Sequence, residues 1–146
     1  MEILEALDAF YYSTALCDLN LMNKRIVDET ISFNSSLYMD IIFFMKGQCT
    51  VSKLAELLHV SKPGVTQKIN ELIRQGLVKK TVDPNDRRKN YLSVDESRVP
   101  AYKVYRRQDA ELQERLGREY TKEDIEKFCK ILNVVTEINL KEINGA

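Results

Sequence analysis

Two short amphipathic stretches that lie close together restrict the fold of this chain more than any other feature. In the first, apolar residues recur at steps of three, four and seven, which places them on one side of a helix: Val51, Leu54, Ala55 and Leu58. The same spacing defines a second buried face: Val65, Ile69, Leu72 and Ile73. Only a few residues separate the two stretches, so the pattern predicts two helices that meet at a tight turn.

The residues at the helix ends agree with this interpretation. Thr50 can act as the N-cap of the first helix, because its hydroxyl can accept a hydrogen bond from a first-turn amide. His59 suits a left-handed conformation at the end of that helix. Ser61 is predicted to cap the second helix, and Pro63 falls in its first turn, where a missing N–H costs little.

The residues of the second helix outside the buried face are predicted to face outward: Lys62, Gly64, Thr66, Gln67, Lys68, Asn70 and Glu71. The residues predicted to contact DNA from this helix and its cap are Ser61, Lys62, Gly64, Thr66, Gln67 and Lys68. Thr66 and Gln67 have side chains that can reach base edges, and Lys62 and Lys68 suit phosphates. Gly64 would let another molecule approach the backbone closely. The alternative is an ordinary solvated helix face.

A β-hairpin with a basic tip is predicted to follow. Gly76 is placed to end the helix, and residues 77–82 and 91–94 are rich in β-prone side chains. The intervening turn contains Pro, Asn and Asp and three adjacent cations: Arg87, Arg88 and Lys89. These cations repel one another, which favours an anionic partner, although a charged turn can also serve only solubility.

The formal net charge of zero conceals a strong asymmetry. Residues 50–90 contain nine Lys and Arg against four Asp and Glu, so this stretch carries +5 and the rest of the chain carries −5. A basic segment within an acidic frame is typical of a nucleic-acid-binding surface.

The order of these features resembles the MarR family of bacterial transcription regulators. The resemblance is best over residues 50–94, where a Leu- and Ala-containing helix is followed by Val60-Ser61, Val65-Thr66, Gly76-Leu77-Val78 and Asp83-Pro84-Asn85-Asp86-Arg87-Arg88. In that family an arginine of the last motif enters the minor groove and an aspartate orients it. The resemblance assigns these two roles to Arg88 and Asp86.

The fold expected from pattern and resemblance is mainly α with a small β-hairpin wing, and residues 1–146 are expected to form one domain. A winged helix-turn-helix lobe would span about 35–96, and helices at about 2–30 and 98–144 would form a dimerisation region. Within this plan we expect a second helix over 37–46, capped by Asn34 or Ser35 and apolar nearly all round. Gly117 is expected to end or bend a helix, and Thr121 to Asp124 resemble a capping box.

The two chain ends carry wider apolar stripes than one packing partner needs, which predicts a two-fold homodimer. Such a dimer would present two recognition helices about 34 Å apart and bind an inverted repeat in double-stranded DNA. A small aromatic or amphipathic effector is expected to bind among aromatic residues of the first two helices: Tyr11, Tyr12, Tyr38, Phe43 and Phe44. For each of these residues, core packing is the alternative.

Several other function classes have little support in the sequence. Three dispersed cysteines form neither a disulfide framework nor a zinc motif, and one histidine is too few for a metal sensor, so we expect no metal and no cofactor. The chain shows no catalytic constellation, no leader and no apolar run long enough for a membrane span, which indicates a cytoplasmic protein that is not an enzyme.

The sequence therefore predicts a DNA-binding transcription regulator, and more specifically a repressor released by a small molecule. Two alternatives stay open. The winged helix could dock an acidic protein instead of DNA. Alternatively, Cys17 could sense oxidants, as a first-helix cysteine flanked by tyrosines does in some relatives of the family that the chain resembles.

Overall fold

The structure, a computed structural model, describes residues 2–25 and 31–144. Over these residues the chain forms six helices and one two-stranded sheet, in the order α1 (Ile3–Arg25), α2 (Phe33–Phe44), α3 (Val51–Leu58), α4 (Lys62–Arg74), β1 (Val78–Val82), β2 (Asn90–Val94), α5 (Ala101–Glu119) and α6 (Lys122–Asn144). The chain divides into two compact units, Met1–Tyr102 and Lys103–Ala146. Within the described ranges, no helix has both the length and the apolar character needed to cross a bilayer.

The core of the first unit forms around α3 and α4, which pack against each other. Leu54 of α3 and three residues of α4, Val65, Ile69 and Leu72, are completely inaccessible to solvent. These are positions that the apolar periodicity selects, so the predicted helix-turn-helix is confirmed.

The predicted helix ends are confirmed in detail. The hydroxyl of Thr50 accepts a hydrogen bond from the amide of Lys53 at 3.1 Å. The hydroxyl of Ser61 accepts one from the amide of Gly64 at 3.3 Å. Between the two helices, His59 has φ 51° and ψ 38°, the left-handed conformation that turns the chain sharply. Gly76, just beyond α4, has φ +71°.

The wing is an antiparallel hairpin that is joined to the rest of the first unit. Its register pairs Val78 with Val94 at one end and Val82 with Asn90 at the other. Leu92 of β2 is fully buried, and its amide donates a 2.8 Å hydrogen bond to the carbonyl of Cys49, just before α3. The middle of β2 is therefore joined to the chain that enters the helix-turn-helix.

Helix α2 differs from the expectation at its start and in its burial. It begins at Phe33, and its N-cap is Ser32, whose hydroxyl accepts a hydrogen bond from the amide of Ser35 at 3.1 Å. The predicted start near residue 37 and the predicted caps, Asn34 and Ser35, were wrong because Ser35 already lies inside the helix and is buried. Burial is also one-sided within the chain: Met39 and Ile42 are buried, whereas Leu37 and Phe44 are exposed.

Helices α5 and α6 also differ partly from expectation. Gly117 lies inside α5, which continues to Glu119, so a helix end at the glycine is wrong. A Cβ at Gly117 would meet no atom within 4 Å, so nothing in its surroundings requires a break. The capping box before α6 is confirmed, because Thr121 and Asp124 each accept a 3.2 Å hydrogen bond from the other's amide.

The first helix is described from Ile3 to Arg25; the rest of the helical region predicted at about 2–30 lies outside the described residues. Most of its large apolar side chains are exposed: Ile3, Leu4, Phe10, Tyr11, Tyr12, Leu16 and Leu19. Helix α6 has a similar set: Phe128, Ile131, Leu132, Val134, Ile138, Leu140 and Ile143. Two long helices thus leave apolar surface uncovered.

Asp95 gives the end of the wing a pH-dependent attachment. Its carboxylate lies 2.8 Å from Lys79 Nζ and accepts a 2.6 Å hydrogen bond from the Ser97 hydroxyl. The hydrogen bond from Lys79, followed by the one from Ser97, lowers the pKa of Asp95 from 3.8 to about 2. Because the folded-state pKa is the lower one, this stabilisation is complete above about pH 4 and is lost as the pH falls towards 2.

We therefore expect Asp95→Asn to lower the urea midpoint of unfolding near pH 6, and the difference from wild type to shrink as the pH falls from about 4 to about 2. Far-UV circular dichroism of both proteins across this range measures the effect. A difference that stays constant down to about pH 2.5 would show that the charge of Asp95 contributes nothing.

Candidate nucleic-acid interface

A groove of about 430 Å³ lies where the start of α3, the first turns of α4 and the wing come together. We call it the basic groove; it is lined by Thr50, Val51, Ser52, Lys62, Thr66, Lys80, Asp86, Arg88, Lys89 and Asn90. Four of these residues are Lys or Arg and one is acidic. Residues distant in sequence are thus gathered into one cationic surface by the packing of the wing against the helix-turn-helix.

The tip of the wing holds Arg88 in a defined position. One carboxylate oxygen of Asp86 accepts hydrogen bonds from the Arg88 amide at 3.0 Å and from Arg88 Nε at 3.3 Å. The side chain of Arg88 is nevertheless 92% exposed. A single acceptor therefore orients the guanidinium at its Nε edge, and the terminal NH₂ groups extend into solvent. The predicted pairing of Asp86 with Arg88 is present.

The turn that carries these residues is closed by Asp83. Its carboxylate accepts hydrogen bonds from the amides of Asn85 at 2.7 Å and Asp86 at 3.3 Å. The bond from the Asn85 amide is the main reason that the pKa of Asp83 lies below its usual value. The turn is therefore shaped by a carboxylate that stays ionised near neutral pH.

The other two cations of the tip differ in their surroundings. Arg87 is exposed. The ammonium of Lys89 lies 5.0 Å from the centre of the Tyr91 ring, close enough for a cation–π contact. A side-chain hydrogen bond with Tyr91 is the first cause that raises the pKa of Lys89, which keeps the amine charged.

A second, shallower surface lies along the outer face of α4, which is lined by Lys62, Pro63, Thr66, Gln67, Asn70 and Arg74. Thr66 is half-buried, and its hydroxyl donates a 2.8 Å hydrogen bond to the carbonyl of Lys62. Gln67 is exposed. Lys62 and Thr66 belong to both surfaces, so the basic groove and the outer face are continuous.

Five of the nine predicted DNA-contacting residues lie on these two surfaces, and four do not: Ser61, Gly64, Lys68 and Arg87, which is exposed at the wing tip. Lys68 is on the opposite flank of α4, where its side chain is 19% exposed and its Nζ lies 3.4 Å from Glu71. Ser61 uses its hydroxyl as the helix cap. Gly64 is exposed, and a Cβ there would lie 3.2 Å from the Ser61 hydroxyl. For Ser61 and Gly64 the structure shows a role in starting α4.

The two surfaces also include polar residues that are not among the predicted DNA contacts, notably Ser52, Asn70, Arg74, Lys80 and Asn90. Asn70 is among the residues predicted to face outward, and Arg74 follows Gln67 at a step of seven, so helical periodicity could have identified both as contacts. Lys80 belongs to β1 and Ser52 to the first turn of α3, and both line the basic groove. No local pattern reveals these two, because their position depends on how the wing folds back.

The aromatic residues predicted for an effector site have varied surroundings. Tyr11 and Tyr12 of α1 and Phe44 of α2 are exposed, whereas Tyr38 and Phe43 are half-buried. The ring of Phe43 stacks on that of Tyr102, with centroids 4.2 Å apart. Tyr102 is fully buried, and its hydroxyl donates a 2.7 Å hydrogen bond to Asp40.

Two cysteines of the first unit are placed differently. Cys17 is half-buried on α1, and Cys49 is completely buried. Burial raises the pKa of Cys49 to about 11, so this thiol stays protonated and unreactive. Across residues 2–25 and 31–144, no three His, Cys, Asp or Glu side chains are grouped closely enough to hold a metal ion.

Comparison with known proteins relates these surfaces to a family. The sequence model of the MarR family matches residues 41–89, which include α3, α4, β1 and the tip of the wing. No curated protein matches the chain.

Three solved structures illustrate the likeness in fold. A mutant of MepR from a multidrug-resistant S. aureus clinical isolate has a TM-score of 0.58 at 16% identity, covering 94% of this chain and 98% of that one. MarR has a TM-score of 0.52 at 16% identity, covering 100% and 96%. The adhesin competence repressor AdcR from Streptococcus pyogenes has a TM-score of 0.51 at 21% identity, covering 96% and 99%. At these identities the likeness concerns the fold.

The fold and the family match agree over the same part of the chain. Residues 41–89 match the MarR family model, and the helices and wing of this chain have the fold of the solved MepR, MarR and AdcR structures.

Proposed function

We propose that this chain is a sequence-specific repressor that binds double-stranded DNA as a homodimer and is released by a small ligand. The observation that supports DNA binding most directly is the basic groove, in which Lys62 of α4 and Arg88 and Lys89 of the wing line one surface. A regulator of this kind acts on the chromosome, so the compartment that we propose is the bacterial cytoplasm.

The two parts of the interface would make different contacts with a duplex. The outer face of α4 carries amide and hydroxyl side chains that can hydrogen-bond base edges in the major groove. The wing carries Arg88 on a side chain that extends from the tip, where it can reach the narrower minor groove. Asp86 already accepts a hydrogen bond from Arg88 Nε in the free protein. Arg88 would therefore lose less conformational entropy when it binds DNA.

Affinity would come mainly from phosphate contacts. Each lysine or arginine that neutralises a phosphate releases a condensed counterion, so log affinity falls linearly with log salt, with a slope of about −0.9 for each contact. The stretch from 50 to 90, with its formal charge of +5, supplies these cations.

We expect duplex affinity to fall steeply with added salt and Arg88→Ala to weaken binding by about 1–3 kcal/mol while reducing the salt slope by about 1. Fluorescence anisotropy of a labelled duplex at several salt concentrations measures both quantities. Arg118→Ala is a matched control, because it removes an exposed arginine from α5, outside both surfaces.

An unchanged affinity for Arg88→Ala would contradict the role of the wing. The rival function, docking of an acidic protein, predicts instead that the chain prefers no duplex over any other. A duplex selected from random DNA that competes at least about tenfold better than its scrambled sequence would exclude that rival.

The uncovered apolar surfaces support the homodimer. Phe128, Ile131 and Ile138 of α6 are each more than half exposed, and apolar patches of this kind mark interaction sites more often than free surface. Covering them with the same helix of a second copy gives a closed two-fold assembly. Two recognition helices in one assembly would then suit an inverted repeat.

We expect Ile131→Glu to shift the chain from dimer to monomer in sedimentation velocity, because a carboxylate buried without a partner is costly. Asn133→Glu adds the same charge two residues further on, on another side of α6, and should leave the dimer intact. Equal sedimentation of both variants with wild type would contradict pairing through this stripe.

The contact between α2 and the start of α5 supports release by a ligand. Phe43 stacks on Tyr102, and Tyr102 is hydrogen-bonded to Asp40. An aromatic ligand that replaced the Phe43 ring would break the stack and disturb the first turn of α5. If such a ligand bound the DNA-free conformation better, it would lower DNA affinity by that difference in binding free energy.

We expect a small aromatic compound that releases the wild-type protein from its duplex to require at least about tenfold higher concentration with Phe43→Leu, which keeps apolar bulk but removes the ring. Anisotropy titration with the compound measures this shift. Phe33→Leu, the same change at an exposed residue that begins α2, serves as the control. The same release concentration for wild type and Phe43→Leu would place the ligand elsewhere.

A further inference from the structure

The exposed side of α4 has an unusual distribution of charge. Its exposed residues are Lys62, Pro63, Gly64, Gln67, Asn70 and Arg74. The two cations among them are the first and last residues of the helix. The centre of the face therefore offers only uncharged hydrogen-bonding groups, and the amides of Gln67 and Asn70 are the main ones.

These two amides are available to a ligand. Gln67 and Asn70 are three residues apart, so they lie on the same side of the helix. Neither side chain forms a hydrogen bond or an ion pair with any residue in the described ranges. Thr66, beside them, donates its hydroxyl hydrogen to the carbonyl of Lys62, which leaves its oxygen as an acceptor and its methyl group for apolar contact.

The charged residues in the interior of α4 do not share this face. Lys68 and Glu71 pair with each other at 3.4 Å on the other flank of the helix. The pairing matters because arginine and lysine are the side chains that select guanine, and carboxylates are those that accept from cytosine. The centre of the exposed face therefore has neither cationic side chains to select guanine nor carboxylates to select cytosine.

The remaining chemistry favours one base. Asparagine and glutamine form two hydrogen bonds with the N6 and N7 atoms of adenine, and a threonine methyl contacts the thymine methyl. From these observations we infer that the outer face of α4 reads adenines, with Gln67 and Asn70 each hydrogen-bonding one adenine in every half-site. This inference rests on the proposed DNA-binding function and names the target of the same site.

The geometry also sets the spacing of the adenines. Side chains three residues apart on a helix are about 5–6 Å apart, and base pairs stack at about 3.4 Å. The two adenines therefore lie within two base-pair steps of each other. Lys62 and Arg74 are about 18 Å apart along the helix axis, wider than the roughly 12 Å major groove, so they contact phosphates on either side of it.

The test begins with selection of bound duplexes from random DNA by the full chain. The expected half-site contains two A·T pairs within two steps of each other. At each of these pairs, replacement by G·C lowers wild-type affinity about 5- to 150-fold, the range for a two-hydrogen-bond base contact. Replacement of the adenine by 7-deazaadenine, which lacks N7, also weakens binding.

Variants then assign each adenine to a side chain. Asn70→Ala abolishes the penalty for 7-deazaadenine at one position and leaves it at the other, and Gln67→Ala gives the reverse result. Gln113→Ala, which removes an exposed amide from α5, keeps both penalties. The variants remain informative if they bind weakly, because the comparison is made between two duplexes for the same protein.

Two results would overturn the inference while leaving DNA binding in place. One is a selected half-site with G·C pairs at its most discriminating positions. The other is an unchanged 7-deazaadenine penalty in both variants. If no duplex were preferred and affinity did not depend on salt, the proposed function and the inference would fail together.

Discussion

The burial of one side of α4 is the interaction on which the rest of this molecule depends. Val65, Ile69 and Leu72 are removed completely from solvent, and each such side chain contributes about 1.5–3 kcal/mol. This packing leaves α4 with a single orientation relative to α3 and the wing. The opposite side of the helix is consequently presented at a fixed angle, so the geometry of the outer face is a product of the core as much as of the surface.

The wing obtains its position in the same way. Leu92 is buried, pairs with Lys80 across the hairpin and donates its amide to the carbonyl of Cys49. This isolated backbone bridge joins the segment before α3 to β2. The position of the wing relative to the helices thus depends on a contact at the middle of the hairpin, away from Arg88.

Local features of the structure could be read from the sequence because local chemistry determines them. Thr50 and Ser61 can be identified as caps because each is a hydroxyl residue directly before an amphipathic stretch. The spacing of apolar residues is enough to identify the inner face of α4. The start of α2 is a harder case, since Ser32, Asn34 and Ser35 are all good capping residues. The choice between them depends on burial of Ser35, which is a tertiary property.

In the candidate site, too, some features follow from local sequence and others depend on tertiary packing. Periodicity separates inner from outer residues of α4, but it does not indicate that Lys68 pairs with Glu71 on the flank. It also cannot place Lys80, which reaches the basic groove only after the hairpin has folded against the helices. Gly117 shows the opposite error: a glycine suggests a helix end, yet an exposed helix tolerates it at a cost of about 1 kcal/mol.

The left-handed turn at His59 has a consequence for how freely this sequence can diverge. Asparagine, aspartate and glycine adopt that conformation readily, whereas a β-branched residue does so only with strain. The accessible substitutions at this position are therefore few, although the side chain itself is exposed. The outer face of α4 can therefore vary widely in sequence without loss of the fold, whereas the turn in front of it tolerates few changes.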